Sequence, residues 1–204
     1  MHPIVVFGRG GHANSIIDLI QATQNRSVYT CDFLAENRLS DERYSFKEVI
    51  ERQEDFDFVV GIGEVTQRRK LLSAISIYLP RANFPPLLHK NAYISPSAKI
   101  GRGTVIFSGA YVGPDVNIGD WCIVNTNAVV EHNTTVGNEC IISLGAIIAG
   151  NVKIEDDCFI GMGALISDGL TLRGRTRIFA GSFVRESTDA NASLSGIPAR
   201  RRDI

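Results

Sequence analysis

The sequence lacks most of the features that mark membrane, metal and nucleic-acid proteins. No apolar run in its 204 residues approaches the roughly 18 needed for a membrane-spanning helix, so no such span is expected. The segment Met1-His2-Pro3-Ile4-Val5-Val6-Phe7 has neither the basic region nor the cleavage signal of a secretory peptide, and the expected compartment is the cytosol. An excess of either charge is missing too: 21 Lys and Arg against 22 Asp and Glu leave a formal net charge of -1. General attraction to nucleic acid or an anionic membrane is excluded, and any anion site has to be local. The four cysteines, Cys31, Cys122, Cys140 and Cys158, follow no zinc-ribbon spacing and would stay reduced in the cytosol. Aromatics are only 8% beside 19 glycines and 7 prolines, so the 44% apolar fraction is mostly Ile, Val, Leu and Ala. That is the composition of a globular chain with an aliphatic core, and it excludes disorder.

What is present is a repeat. Stepping by six from Ile94 gives Ile100, Ile106, Val112, Ile118, Val124, Val130, Val136, Ile142, Ile148, Ile154, Ile160, Ile166, Leu172, Ile178 and Val184. All but Leu172 are β-branched, and four places after each comes a mostly small residue, from Ala98 to Thr188. A six-residue period with one bulky and one small inward residue predicts a parallel β-helix of three short strands per eighteen-residue coil. Residues eighteen apart should stack, and they match by type: Ala110, Ala128, Ala146 and Ala164 form one column and Cys122, Cys140 and Cys158 another. The cysteine column reads as small buried filler, with a metal or disulfide as the alternative. Gly109, Asn127, Gly145, Gly163 and Gly181 form a corner column where positive φ is expected.

The first ninety residues alternate differently. Ile4–Phe7 reads as a buried strand, followed by Gly8-Arg9-Gly10-Gly11-His12 and a helix through Ile16, Ile17, Leu19 and Ile20. Strands at Val28–Cys31 and Phe58–Gly63, with helices near Ser45–Arg52 and from Gln67 to Tyr78, complete a βαβαβα unit with a parallel sheet. Phe84-Pro85-Pro86 and His89-Lys90-Asn91 read as the link, giving an α/β, Rossmann-like unit at 1–88 and an all-β coil unit at 89–204. Gly8-x-Gly10-x-x-Ala13 with Asp32 some twenty residues on fits a dinucleotide fingerprint: bare backbone meets a diphosphate and the acid takes a ribose hydroxyl. Ninety residues are too few for two mononucleotide halves, so a nucleotide or nucleotide sugar fits better than a nicotinamide cofactor.

The coil region holds one histidine, His132, at an outward place of Val130-Glu131-His132-Asn133-Thr134. Among small neighbours it reads as a proton-transfer group, the alternative being a solvated surface side chain. A metal centre of the γ-carbonic-anhydrase kind needs several histidines, so no metal is expected.

Gly-x-Gly-Gly-His, Ile62-Gly63 with Arg68, Asn125-Thr126, Val130-Glu131-His132, Ala149-Gly150-Asn151-Val152 and Gly196-Ile197-Pro198-Ala199-Arg200 together resemble the hexapeptide-repeat sugar acyltransferases of the sialic acid O-acetyltransferase type. That family includes N-acetyltransferases of nucleotide-linked 4-amino-4,6-dideoxy sugars. The resemblance implies left-handed coils, against the usual right-handed crossover. It further implies a cytoplasmic homotrimer with acetyl-CoA between subunits, the sugar nucleotide on the α/β unit, and a role in surface-glycan synthesis. By the same resemblance His132 is the general base, Glu131 orients it, Asn125 lies beside them, and the Gly150 N–H holds the thioester oxygen, with a plain corner glycine as the alternative. Ile141 stands where many relatives carry a second histidine near the CoA thiol. Gly10, Gly11, His12 and Gly63 would approach the diphosphate or sugar, and Asp32 the ribose or base. Arg68 is either a ligand contact or a solvated helix charge. The phosphates of CoA call for a basic cluster, for which Arg173, Arg175 and Arg177 and the tail Arg200, Arg201 and Arg202 are candidates, or else a solvated basic end. O-acetylation of a sialic acid or other sugar, a nicotinamide-dependent oxidoreductase and a non-catalytic scaffold are the competing readings.

Overall fold

A computed structural model describes residues 2–24, 26–32 and 43–202, with the side chains of Asp32 and Arg43 outside the described set. The chain forms two compact units, residues 1–87 and 88–204.

In the first unit, strands β1 (Ile4–Phe7), β2 (Val28–Asp32), β3 (Arg43–Ser45) and β4 (Asp57–Val60) form a parallel sheet in the order β3-β2-β1-β4. Helices α1 (Gly11–Thr23), α2 (Phe46–Glu51) and α3 (Val65–Tyr78) complete the unit. The order reverses between β1 and β4, and in such sheets the crevice outside that switch point is where ligands bind. All four β1 residues are buried, as are Phe58, Val59 and Val60 of β4. The aromatic residues scarce elsewhere collect here, with Phe7 stacked on Phe58 at 5.5 Å and Phe84 at 5.4 Å from Phe58. Each buried Phe of this kind contributes about 1.5–3 kcal/mol over leaving it exposed.

Three boundaries differ from the sequence reading. β3 escapes detection because it is three residues of Arg-Tyr-Ser with no apolar alternation. β4 stops at Val60, since the Arg68 guanidinium takes the carbonyls of Val60 (3.4 Å) and Ile62 (3.3 Å). α3 begins at Val65 because the Glu64 carboxylate caps it, accepting from Thr66 N (2.9 Å) and Gln67 N (2.7 Å), and those bonds lower its pKa.

The second unit is a left-handed parallel β-helix of two-residue strands. Residues eighteen apart pair in register: Val105 with Ile123, Ile123 with Ile141, Ile141 with Phe159 and Phe159 with Arg177. Its faces are eight-, six- and five-stranded sheets. The hexad begins earlier than the repeat reading placed it, because Leu88 and Ala92 continue the inward series against the core. His89–Asn91 therefore form the first turn of the coil and not a link. At the far end the step shortens, Arg177 pairing with Ser193, and a hairpin of Ser193–Gly196 and Ala199–Arg201 closes the eight-stranded face.

Positive φ recurs at every sixth residue from Gly103 to Gly181, so all three corners use it and not the one column expected from sequence. Left-handed backbone costs an ordinary residue about 1–2 kcal/mol, and the non-glycine occupants are accordingly mostly Asn and Asp, including Asn127, Asn133 and Asn151. One corner carries a side-chain ladder: Asp120 caps Arg102 N (3.0 Å), Asn138 caps Asp120 N (2.8 Å) and Asp156 caps Asn138 N (2.7 Å). Inside, the three column cysteines are buried, and each thiol donates to a carbonyl one coil on, that of Gly137, Glu155 or Arg173. Thiol–thiol hydrogen bonding and burial raise the pKa of Cys140 and Cys158 far above the ordinary thiol range, so these two thiols are neutral packing.

Candidate active site

In the coil unit, His132 sits at the corner between the six- and five-stranded faces, exposed as an outward place requires. Gly150, one coil along, makes room for it: a Cβ there would lie 2.5 Å from His132 Cε1 and 2.6 Å from Nε2. The ring thus rests on the Gly150 backbone, which explains a glycine at this corner independently of any ligand role. Among the described residues the Gly150 N–H has no protein acceptor, leaving a donor beside the imidazole.

The nearest polar partner of the ring was not anticipated. Asn133, held at φ 56, places its side-chain amide 3.1 Å from His132 Nδ1. Glu131 instead accepts from the His132 backbone N–H at 3.4 Å and steadies the chain at that corner. The hexad pattern held the signal for Asn133, since a left-handed Asn next to an outward residue can turn its short amide back on it.

The remaining coil positions lie at other places within one chain. Asn125 follows Val124 at the corner between the eight- and six-stranded faces, its Oδ1 accepting from Thr126 N at 2.9 Å, so the Val129–Val130 strand separates it from His132. Ile141 is buried on the eight-stranded face, half a coil away. Arg173, exposed, is 3.6 Å from Glu155; Arg175 donates to Asn191 at 2.6 Å; and Arg200 lies on the closing hairpin. These arginines gather near the eight-stranded face at the end of the coil, away from the His132 corner.

In the α/β unit, two glycines serve packing and two do not. A Cβ on Gly61 would meet Val6 Cγ1 at 2.8 Å and Ala13 Cβ at 2.9 Å, and Gly8, at φ +114, approaches Gly61 O. Gly61 thereby lets α1 lie close over β1, and Gly8 lets the end of β1 pass close to the turn after β4. Gly10 and Gly11 face open space, and Gly10 caps α1 without a side-chain bond, so first-turn N–H groups are left for an incoming acceptor. His12 follows, with Gly63 against its ring: a Cβ on Gly63 would lie 3.4 Å from His12 Cγ. Burial, and then the Arg68 charge, lower the His12 pKa from 6.5 to about 4. Arg68 itself is only 3% exposed, so it is not a solvated helix charge. Asp32 closes β2 by its backbone, pairing with Ser45; its side chain lies outside the described residues. No group of three or more His, Cys, Asp or Glu suited to a metal occurs among the described residues.

Comparison with known proteins bears on both units. Residues 3–75 match the PglD N-terminal domain family and residues 87–178 the GMPPB C-terminal domain family. No curated protein sequence matches the chain. Among solved structures, the acetyltransferase domain of PglB from Neisseria gonorrhoeae is 27% identical with a TM-score of 0.88, covering 99% of this chain and 100% of that one. PerB from Caulobacter crescentus, solved with CoA and GDP-perosamine, is 26% identical with a TM-score of 0.88, covering 100% of this chain and 98% of that one. WeeI from Acinetobacter baumannii, at 20% identity and a TM-score of 0.66 over 99% of this chain and 100% of that one, shares the fold. A PglD-type α/β unit is thus followed by hexapeptide coils in a chain that is similar over its whole length to the PglB acetyltransferase domain and to PerB.

Proposed function

We propose that the chain transfers an acetyl group from acetyl-CoA to the amine of a nucleotide-linked 4-amino-4,6-dideoxy sugar, in cytoplasmic synthesis of a surface glycan. The observation that carries this reading is the exposed His132 imidazole resting on Gly150, in a chain that aligns over its length with a protein bound to CoA and GDP-perosamine.

The chemistry follows from the corner. The Asn133 side-chain nitrogen lies 3.1 Å from Nδ1; with that amide turned over, its oxygen would accept from Nδ1–H, so that Nδ1 keeps its hydrogen and Nε2 presents the lone pair. Nε2 takes a proton as the sugar amine forms its C–N bond to the thioester carbonyl, and returns it to the sulfur as the C–S bond breaks. The Gly150 N–H is the donor placed for the carbonyl oxygen as charge develops. A positioned base of this kind contributes about 10²–10⁴ in rate. Gly10, Gly11, His12 and Gly63 hold the diphosphate or sugar, Asp32 the ribose or base, and the late-coil and tail arginines the CoA phosphates.

The acting species is proposed to be a homotrimer. The outward column of the six-stranded face is Tyr93, Tyr111, Val129, Ile147, Leu165 and Phe183, and Tyr93, Ile147 and Leu165 are 53%, 44% and 42% exposed. Lys99, Asn117, Thr135, Lys153 and Thr171 occupy the same place on the five-stranded face. A continuous apolar face beside a polar one suits burial against another copy. Asn125 and Ile141, distant from His132 within one chain, would then complete the site from a neighbour.

Incubation with acetyl-CoA and UDP-, dTDP- or GDP-linked 4-amino sugars, followed by release of free thiol, tests the reaction. Turnover with one of them is expected; thiol release only with hydroxyl sugars would reassign the enzyme to O-acetylation.

A further inference from the structure

The line of corners that begins at His132 ends at a cleft. Val130, Ile148, Ile166 and Val184 pair in register, so the corners after them, His132, Gly150, Asp168 and Glu186, stand one coil apart in a single column. Three steps of about 4.8 Å carry the column about 14 Å from His132 to Glu186. An extended chain gains about 3.5 Å for every three bonds, so the arm of CoA, about a dozen bonds from its sulfur to the nearer phosphorus, spans about 14 Å. A thioester held at His132 and Gly150 therefore delivers its diphosphate to the last corner of the same column.

That corner borders a cleft of about 180 Å³ at the open end of the coil. The last inward residues, Val184 and Leu194, line it together with Pro198 from the turn of the closing hairpin. Its rim carries Arg185, Arg200 and Arg201 against Glu186 and Asp189. Asp189 is 3.6 Å from Arg201, whereas the side chains of Arg185 and Arg200 make no ion pair among the described residues. The earlier arginines are engaged already, Arg173 by Glu155 and Arg175 by Asn191. Apolar walls with room for one ring system, under a rim with two guanidinium groups to spare, suit a flat heterocycle that carries phosphate, since the planar fork takes phosphate oxygens in pairs.

We infer that the open end of the coil receives the 3′-phosphoadenosine of CoA, and that Arg185 and Arg200 determine the preference for CoA over dephospho-CoA. Arg185 lies outside the arginine clusters visible in the sequence, standing alone between Val184 and Glu186, and the fold brings it beside the tail. The assignment rests on the acetyl-CoA reading above and adds a specificity that the thioester chemistry does not need. His132 and Gly150 act on the acyl group, whereas the two arginines act on a phosphate about three coils, or 14 Å, away, so substitution should separate affinity from turnover.

The probes are CoA, dephospho-CoA and adenosine 3′,5′-bisphosphate, titrated by calorimetry, with acetyl transfer measured wherever a sugar nucleotide supports it. The unaltered protein should bind CoA about tenfold more tightly than dephospho-CoA, and the bisphosphate should displace CoA. Arg185→Gln and Arg200→Gln should each bind CoA about tenfold more weakly and dephospho-CoA within about twofold of the unaltered protein, raising the KM for acetyl-CoA at unchanged kcat. Lys99→Gln, on the five-stranded face, should bind both ligands as the unaltered protein does. Equal binding of CoA and dephospho-CoA by the unaltered protein, or arginine variants that weaken both ligands equally or neither, overturns the assignment while leaving the acetyltransferase reading intact. Failure of the unaltered protein to bind CoA at all overturns both. If a variant does not fold, the unaltered protein decides: its preference for CoA must shrink as salt rises, and a preference indifferent to salt rejects the guanidinium contacts.

Discussion

The two units locate their chemistry by opposite means. From Gly103 to Gly181 every corner of the coil has a left-handed residue at each sixth place, so a functional group shows up as an exception among equivalents. His132 is such an exception, and Gly150 is bare because the ring lies on it. In the α/β unit nothing repeats, and the place that matters is set by the reversal of strand order between β1 and β4. Its parts come from residues as far apart in sequence as His12 and Arg68. A repeat shows its site by breaking its own rule, whereas an open sheet shows it by topology.

Substitution can break or sharpen this contrast. The largest effect is expected at His132: His132→Ala should lower kcat/KM for acetyl transfer by about 10²–10⁴ while the melting temperature, followed by circular dichroism, hardly moves. An active variant would remove the base from this corner. Glycines of the same coil should then divide into two kinds. Gly150→Ala drives a methyl into the His132 ring and should cost activity at least tenfold with little stability, because an exposed ring can move aside. Gly119→Ala drives one into the Gly137 carbonyl carbon at 2.8 Å and should cost about 1–3 kcal/mol of stability in urea unfolding.

Asn133 separates backbone from side chain at a single position. Asn133→Gly keeps the left-handed corner and loses the amide on Nδ1, so turnover should fall about tenfold at unchanged stability. Asn133→Ala should lose the same activity and a further 1–2 kcal/mol or so of stability. Equal turnover for Asn133→Gly and the parent protein would return the orienting role to Glu131.

The α/β unit supplies a test by pH instead of by a coil substitution. The unfolded chain protonates His12 near its ordinary value of 6.5, but the folded unit resists until about pH 4. Stability is therefore present above pH 6.5 and declines as the pH falls toward 4, by at most about 1.4 kcal/mol per pH unit for one such group. Hydrogen exchange at pH 7 and pH 5 should show the loss in residues 1–87, and His12→Asn should flatten it.

The coil was legible from sequence because each inward place meets the same surroundings eighteen residues later, so one aliphatic series fixed strands, faces and stacking together. The start at Leu88 was missed because prolines and a polar His-Lys-Asn run look like a linker when the two inward residues among them are not counted. β1 and α1 were legible from apolar runs and glycine spacing, but β3 was not, having only three residues, and it shares no face pattern with its neighbours. In the site, His132 and Gly150 could be read from register alone. The Asn133 contact depends on a backbone angle, and the burial of Arg68 on how α3 packs on the sheet; neither is carried by residue type.

The uniform hexad also makes the coil a ruler. Each turn advances the same amount, about 4.8 Å, whatever side chains it carries. The arginines at 173 and 175 stand two turns beyond the His132 turn, so the distance from the His132 corner to the basic end is set by a count of residues and not by loop conformation. Inserting or deleting eighteen residues between them would move the basic end by one whole graduation without rotating it. Insertions of six or twelve would keep the aliphatics inward but carry the basic end to another face, and lengths that are not multiples of six would break the inward register.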